Sequence, residues 1–214
     1  MKIGIICDDY WHPGTTVKQG LEPLGTEGFQ FEFIQHASEW TRIWMDGQDA
    51  VVLAKSNQIS ARDKMPWLTD EIQAHFVDYV EQGKGLLVLH SGTVGYREER
   101  TFFELIGGVF NMHPEACQVT MSYTDEAMLP IETAKSFSMH DEHYYVEVID
   151  ERIHVFLTST SEHGTQPAGW VREQGKGRVC VLTPGHFLEA LKHPDYQAAI
   201  AGALKWCSGY HNKV

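Results

Sequence analysis

The fold of this chain is decided by residues Gly83–Pro114, which read GKGLLVLHSGTVGYREERTFFELIGGVFNMHP. The stretch begins with the short apolar run Leu86–Leu89, whose length and composition are typical of a strand buried on both faces. That run ends abruptly at His90. A helical segment follows, with apolar residues such as Phe102 and Ile106 along one side, and a glycine pair ends it. In an open α/β sheet, ligands bind at the carboxyl end of such a strand.

The same alternation of strands and helices extends towards the N-terminus. Strands are predicted at Lys2–Cys7, Phe29–Ile34 and Val51–Leu53, and helices at Thr15–Leu24 and Leu68–Gln82. The later helix is the most regular and has an apolar residue at every fourth position: Leu68, Ile72, Phe76 and Val80. Alternation of this kind predicts a parallel sheet with helices on both of its faces.

The second half of the chain is less regular. Strands are predicted at Cys117–Tyr123, Ile153–Thr158, Trp170–Arg172 and Arg178–Leu182. The polar segment Thr124–Asp141 separates the first two of these, and Gln174–Gly177 indicates a hairpin between the last two. A final helix is predicted over Pro194–Cys207, because proline suits the first turn. No repeat or linker interrupts this pattern, so residues 1–214 are interpreted as a single α/β domain.

The charge balance excludes two classes of partner. Asp and Glu number 29 against 17 Lys and Arg, which gives a net charge of -12 with histidine neutral. Nucleic acids and anionic membrane surfaces are bound through clustered Lys and Arg, so neither is an expected partner.

No segment approaches the roughly 20 apolar residues of a membrane span, and the apolar start is too short for a signal peptide. We therefore expect a cytoplasmic protein, for which a homo-oligomer is neither required nor excluded.

The cysteines and glycines give no sign of a redox or nucleotide site. Cys7, Cys117, Cys180 and Cys207 are far apart and include no CxxC pair. Two of them lie in or at the end of apolar runs, so reduced, buried thiols of a cytoplasmic protein are expected. The chain also has no GxGxxG motif, so no nucleotide cofactor is expected.

Histidines follow two of the predicted buried strands. His90 comes directly after one strand, and His186 comes shortly after the run that ends at Leu182. Because the carboxyl ends of parallel strands share one edge of a sheet, we expect these two imidazoles to converge. His113 is predicted to join them, since Pro114 restricts its backbone and so fixes the direction of its side chain. Three histidines beside a carboxylate would make an open metal site of the catalytic type. Without a metal, the alternative is a neutral hydrogen-bonded network of the same side chains.

Carboxylates and aromatic residues are available for the same site. The densest polar cluster is Asp141–Tyr145, and carboxylate next to imidazole is typical of metal sites and acid–base sites. The predicted catalytic residues are His90, Asp141 and Glu142. For zinc or another first-row divalent ion, the predicted ligands are His90, His113, Glu142 and His186. For a sugar, which has an apolar face and a hydroxyl edge, the predicted binding residues are Asp8, Tyr10, Trp11, His12, Ser91 and Tyr144.

Several of these motifs, in this order, resemble the ThuA-like (trehalose utilisation) family. They are GKGLLVLHSG, LIGGVFNMHP, DEHYY and PAGWVREQGKGRVCVLTPGH, followed by a closing helix with Lys205-Trp206. No single motif is specific, but their order and spacing span most of the chain. The resemblance implies a three-layer, flavodoxin-like fold of the class I glutamine amidotransferase-like group, with a mostly parallel sheet. It also implies a role in sugar catabolism, on trehalose-type or related glycosides or their keto forms.

The chain departs from its wider fold group at a decisive place. Amidotransferases of this fold carry a catalytic cysteine where this chain has His90-Ser91, so glutamine hydrolysis is rejected. The segments Ser56–Trp67 and Tyr123–Met139 cannot be matched to the family. If the choice of substrate depends on these segments, the resemblance does not supply it.

Three functions remain open from the sequence. The predicted one is a metal-assisted enzyme that acts on a disaccharide, a glycoside or its keto-sugar derivative, with Glu142 or Asp141 as proton acceptor. The first alternative is a metal-free hydrolase that uses Ser91 with His186 and Glu189. The second is a sugar-binding or regulatory module, which a ligand would stabilise without turnover.

We predict that none of the cysteines is catalytic, because none of them follows the Leu86–Leu89 strand. Changing each cysteine singly to serine should alter the thermal stability of the protein and leave the turnover of a glycoside substrate unchanged. Thermal melts and a sugar-release assay on the same preparations check this expectation. A variant that stays folded but loses all turnover would contradict it.

Overall fold

The computed structural model describes residues 1–125, 128–131, 135–149 and 152–209. The strands in these ranges are β1 (Lys2–Cys7), β2 (Gln30–Ile34), β3 (Ala50–Ala54), β4 (Gly85–Leu89), β5 (Gly108–Met112), β6 (Cys117–Tyr123), β7 (Phe137–Asp141), β8 (Tyr145–Val148), β9 (His154–Ser161), β10 (Gly164–Gln174) and β11 (Gly177–Leu182). The α-helices are α1 (Gly14–Leu21), α2 (Arg42–Asp46), α3 (Asp70–Glu81), α4 (Arg100–Ile106), α5 (Leu188–Leu191) and α6 (Pro194–Cys207). Short 3-10 helices cover Glu22–Glu27, Ala37–Glu39 and His90–Thr93. No helix in the described part of the chain is long and apolar enough to cross a membrane.

Nine of the described strands form one sheet in the order β2-β1-β3-β4-β11-β10-β9-β6-β7. The first five pair in parallel, and their order is that of a flavodoxin-like doubly wound sheet. The other four continue the sheet as antiparallel strands, while β5 and β8 form a separate antiparallel pair. The predicted three-layer α/β fold is thereby confirmed. The predicted hairpin at Gln174–Gly177 joins β10 to β11.

The central strands bury side chains on both faces of the sheet. In β4, Leu86 and Val88 share a core with residues of α3 and α4, whereas Leu87 and Leu89 share the opposite core with residues of α1 and α6. Side chains of β1, β3 and β11 alternate between the same two cores. This double burial explains why these strands have continuous apolar sequences.

Local signals set the ends of the helices. α3 begins after Thr69, whose hydroxyl accepts a hydrogen bond from the Ile72 backbone N–H at 3.4 Å. α4 ends at Gly107, whose φ of 76° lies in the left-handed region that glycine adopts freely. α1 ends at Leu21, earlier than predicted, because Pro23 has no N–H with which to continue the helical hydrogen bonds.

Strands β5, β7 and β8 lie where the sequence pattern predicts none. β7 occupies the end of Thr124–Asp141, the segment interpreted as a polar connection. Phe137 and Met139 are buried and alternate with exposed polar residues, but this alternation is too short to stand out. β5 and β8 are short and partly exposed, which also leaves a weak pattern. Residues 126–127 and 132–134 of the polar connection lie outside the described residues.

The apolar stripe of α3 packs on the sheet as predicted. Leu68, Phe76 and Val80 are buried, and Ile72 is half-buried against the same core. The Phe76 ring meets the Phe102 ring of α4 edge-on, with ring centroids 5.4 Å apart. Phe76 therefore joins α3, α4 and the sheet.

Replacing Phe76 with alanine should lower the free energy of unfolding by about 3–5 kcal/mol, the usual cost of deleting a buried aromatic side chain. Ile43 provides a control because it is 87% exposed, so Ile43→Ala should change that free energy by less than about 0.5 kcal/mol. Urea unfolding of both variants measures the two effects. A cost below about 1 kcal/mol for Phe76→Ala would mean that the stripe does not pack as described.

Candidate functional site

Three histidines meet at the carboxyl edge of the parallel strands. His90 directly follows β4, and His186 lies in the loop after β11, the neighbour of β4 in the sheet. His12 lies in the loop after β1. The ring centroid of His12 is 5.0 Å from that of His90 and 5.2 Å from that of His186. The sequence predicts that His90 and His186 converge, and the structure brings them together.

The backbone at His90 is in an unusual conformation. Its φ of 44° lies in the left-handed region, which costs free energy for a residue other than glycine. The Thr93 hydroxyl donates to the His90 carbonyl at 2.8 Å, and a Cβ at Gly92 would collide with the Leu53 carbonyl oxygen. Asp8 after β1 also has a positive φ, of 76°. Strained residues of this kind cluster at functional sites.

The carboxylate of Glu142 lies among the imidazoles. Its Oε2 atom is 3.5 Å from His90 Nε2 and 3.2 Å from His186 Nδ1. Its Oε1 atom is 3.4 Å from Nε2 of His113, which follows β5. All three predicted histidines therefore approach the predicted carboxylate, although they come from different parts of the chain.

Hydrogen bonds on the outer side of the rings fix which nitrogen carries the proton. His90 Nδ1 lies 2.8 Å from the Thr183 carbonyl oxygen, and His113 Nδ1 lies 2.7 Å from that of Pro114. A carbonyl only accepts, so each Nδ1 donates and the neutral ring presents its lone pair at Nε2. His12 Nδ1 lies 2.8 Å from the Asp9 carboxylate, an arrangement that orients metal-binding imidazoles.

Among the described residues, one group of ligand atoms could hold a metal ion: those of His12, His90, Glu142 and His186, which all lie within 4.8 Å of one another. His113, a predicted metal ligand, lies outside this group, and its side chain is 36% exposed. His12, predicted to bind substrate, takes its place. The sequence holds one signal for this role, because a carboxylate, Asp9, lies three residues before His12 in the loop after β1.

Burial and neighbouring charges shift the pKa values of the residues in and around this group in different directions. Burial alone raises the pKa of Glu142, but the His186 and His90 imidazoles outweigh it and hold that pKa well below its usual range. Glu142 in turn raises the pKa of His186. Burial lowers the pKa of His12. Burial raises the pKa of Asp9, but the hydrogen bond from His12 prevails and lowers it to about 2.

Asp141, a predicted catalytic residue, is fully buried at the end of β7. Its carboxylate accepts hydrogen bonds from the backbone N–H groups of Gly185 and His186, at 2.6 and 3.0 Å. Burial raises its pKa. These contacts hold the loop that carries His186, so the structure gives Asp141 the position of a supporting residue rather than of a proton acceptor facing substrate.

A cavity of about 400 Å³ opens beside the group. Its lining is mostly aromatic and histidine side chains and consists of Trp11, His12, Val94, Phe110, His113, Glu142, Tyr144 and His186. The Tyr144 hydroxyl lies 2.9 Å from His90 Nε2, and Trp11 stands at the rim, 63% exposed. This volume is within the range of small-molecule sites.

Three predicted substrate-binding residues, Asp8, Tyr10 and Ser91, do not line this cavity. The Tyr10 ring is outside it, and Lys64 Nζ lies 3.3 Å from its centroid. The Asp8 carboxylate accepts from the Gly14 backbone N–H at 2.9 Å, at the start of α1.

A serine or cysteine nucleophile finds no support in the geometry. Ser91 is buried and its hydroxyl makes no hydrogen bond with His186 or Glu189 among the described residues, and Glu189 is exposed. The thiols of Cys7 and Cys180 are buried as predicted, Cys207 is buried too, and Cys117 is half-buried. Burial raises the pKa of Cys7 and of Cys207 to about 12, so neither thiol forms the reactive thiolate at neutral pH.

Solved structures share this fold. A ThuA-like protein from Parabacteroides merdae has a TM-score of 0.79 at 16% identity, covering 100% of this chain and 92% of that one. A ThuA-like protein from Bacteroides uniformis has a TM-score of 0.71 at 17% identity, covering 97% and 91%. A β-galactosidase from Rahnella sp. R3 has a TM-score of 0.67 at 12% identity, covering 95% of this chain and 31% of that enzyme. At these identities the likeness shows the fold alone.

Comparison of the sequence with models of protein families identifies the family. No curated protein matches the chain. The model of the ThuA family, described as trehalose utilisation, matches residues 9–207, which include every residue of the histidine group. The motifs from which the resemblance was inferred lie within the same span. The chain therefore belongs to the ThuA (trehalose utilisation) family.

Proposed function

We propose that this protein is a metal-assisted enzyme of carbohydrate catabolism, with a divalent ion held by His12, His90, Glu142 and His186. The observation that carries the proposal is the set of four ligand atoms within 4.8 Å of one another beside an open cavity. Three imidazoles and a carboxylate suit zinc or another first-row divalent ion. A site that opens onto a substrate cavity is of the catalytic rather than the structural type.

The protonation of these residues also suits a cation. His12 and His90 donate their Nδ1 protons to outer acceptors, which places the lone pair of each neutral ring at Nε2. His186 Nδ1 is buried and lies 3.2 Å from a carboxylate oxygen of Glu142. An imidazole nitrogen and a carboxylate oxygen this close together would coordinate the same cation.

The proposed mechanism assigns the proton transfers to Glu142 and His113. A divalent ion held by these residues would supply Lewis-acid chemistry, which polarises a substrate oxygen or lowers the pKa of a water. Glu142 Oε2 faces His90 and His186, while Oε1 faces His113 Nε2. Glu142 would take a proton from the reacting water or sugar hydroxyl, and the half-exposed His113 would pass that proton to solvent. Asp141 would keep His186 in place.

The lining of the cavity supports a sugar as substrate. Trp11, Phe110 and Tyr144 offer flat apolar surface to the C–H face of a sugar ring, and His113 and Glu142 offer polar groups to its hydroxyls. Membership of the trehalose utilisation family supports a disaccharide or glycoside, or its keto-sugar derivative. The free cysteines support a cytoplasmic location.

A pair of variants distinguishes the ligand set that contains His12 from the set predicted from the sequence, which contains His113 instead. The wild type should bind about one zinc ion per chain, as a single four-ligand site does. His12→Ala should weaken zinc binding more than the roughly 10–100-fold that loss of an outer-shell partner costs. His113→Ala should weaken it less than about tenfold, because that side chain lies outside the group. Calorimetric titration with zinc and elemental analysis of the purified protein measure both.

The reverse result, with His113→Ala abolishing zinc binding and His12→Ala sparing it, would restore the ligand set predicted from the sequence. A wild type that binds no divalent ion would refute the metal-assisted mechanism. Stabilisation by a sugar without turnover of any glycoside would then favour the binding module.

Substitution of the two neighbouring carboxylates should have different effects. Asp141→Asn replaces a buried oxygen that accepts a backbone N–H with an amide nitrogen, so it should lower the free energy of unfolding by about 2–4 kcal/mol. Glu142→Gln should leave stability within about 1 kcal/mol and abolish glycoside turnover. Urea unfolding and a sugar-release assay measure the two outcomes. Loss of turnover in a fully stable Asp141→Asn would instead make Asp141 the proton acceptor.

A further inference from the structure

The hydroxyl of Tyr144 already occupies the His90 nitrogen that a metal ion would need. Because the Thr183 carbonyl accepts from His90 Nδ1 at 2.8 Å, the lone pair of the neutral ring is at Nε2. The Tyr144 oxygen lies 2.9 Å from that Nε2. The Tyr144 hydroxyl therefore donates its proton to the only free lone pair of His90.

We infer that the Tyr144 hydroxyl and a divalent cation compete for His90 Nε2, and that cation binding converts Tyr144 into a hydrogen-bond donor for the substrate. The inference rests on the proposed function, because it takes His90 as a metal ligand. One lone pair cannot accept a hydrogen bond and coordinate a cation at the same time. Each cation that binds must therefore displace the Tyr144 hydrogen bond.

Packing keeps the Tyr144 ring in place during this exchange. The side chain is buried, its ring stacks on that of His90 with centroids 4.2 Å apart, and the Phe110 ring is 4.4 Å away. The His113 ring, at 5.9 Å, is nearly parallel to it. With the ring held by three neighbours, the O–H bond can rotate, while the oxygen stays beside the cation.

The displaced donor then faces the cavity, because Tyr144 belongs to its lining. Its partner must be an oxygen with a free lone pair, such as the hydroxyl, ring or carbonyl oxygen of a sugar. A substrate oxygen bound there meets the cation and the Tyr144 donor together. Tyr144 thus acts as a specificity residue that becomes available only in the metal-loaded protein.

The competition is tested by Tyr144→Phe, which removes the hydroxyl and keeps the ring. Zinc binding measured by calorimetric titration should become tighter by about two- to tenfold, the effect of one ordinary hydrogen bond. Glycoside turnover at saturating zinc should fall at the same time. A purely structural role would not give tighter metal binding together with slower turnover.

The neighbouring Tyr145 provides the matched control. Its hydroxyl donates to the His163 carbonyl, outside the histidine group, so Tyr145→Phe should leave zinc affinity unchanged. An unchanged or weaker zinc affinity in Tyr144→Phe, with wild-type binding intact, would overturn the inference. A wild type that binds no zinc would overturn the proposed function, and the inference with it.

A measurement on the wild type covers the case in which Tyr144→Phe does not fold. Addition of zinc should change the near-ultraviolet absorption of tyrosine, because the Tyr144 hydroxyl loses its acceptor. The same addition to His90→Ala, which lacks that acceptor, should produce no such change. Zinc binding to the wild type without any tyrosine signal would contradict the competition.

Discussion

The turn at the end of β4 is the constraint on which the site depends. β4 lies between β3 and β11 and is buried on both faces, so the chain must leave the sheet at once where the apolar run stops. The left-handed conformation of His90 achieves this, at a cost of about 1–3 kcal/mol for strain of this kind. Gly92 allows the turn to pass against the Leu53 carbonyl, and the Thr93 hydroxyl closes it. The burial of β4 provides the packing that sustains this strain.

Features that repeat locally in the sequence could be predicted, and features that depend on contacts between loops could not. The stripe of α3 and the buried parallel strands follow from periodicity and apolar runs. The approach of His90 to His186 follows from topology, because their strands are neighbours. The place of His12 in the group depends on the positive φ of Asp8 and on the contact of its ring with Asp9, neither of which has a periodic signal.

The loop Ser56–Trp67, which could not be matched to the family, supports the site. The Ser56 backbone N–H donates to the Asp9 carboxylate at 2.8 Å. Asn57 next to it accepts from the Leu68 backbone N–H at 3.1 Å and donates to Glu99 at 3.0 Å. These bonds tie the start of the loop to the helices behind the sheet. Asp9 is thereby held where it orients His12, so this part of the loop contributes to the site without entering the cavity.

Three carboxylates surround the histidines, and their hydrogen-bond partners separate their roles. Asp9 accepts from backbone N–H groups of Trp11, His12 and Ser56 as well as from the His12 ring. Asp141 accepts from two backbone N–H groups in the loop of His186. The four donors fill the acceptor capacity of Asp9, and full burial keeps Asp141 away from the cavity.

Glu142 differs from the other two carboxylates in this respect. Among the described residues, no backbone N–H donates a hydrogen bond to its side chain, and its close neighbours are imidazole nitrogens. Imidazoles can gain or lose a proton or bind a cation, whereas a backbone N–H can do neither. Glu142 is also the only one of the three that lines the cavity of about 400 Å³. The proton transfer of the proposed mechanism is therefore assigned to Glu142, the one carboxylate of the three whose partners can change state.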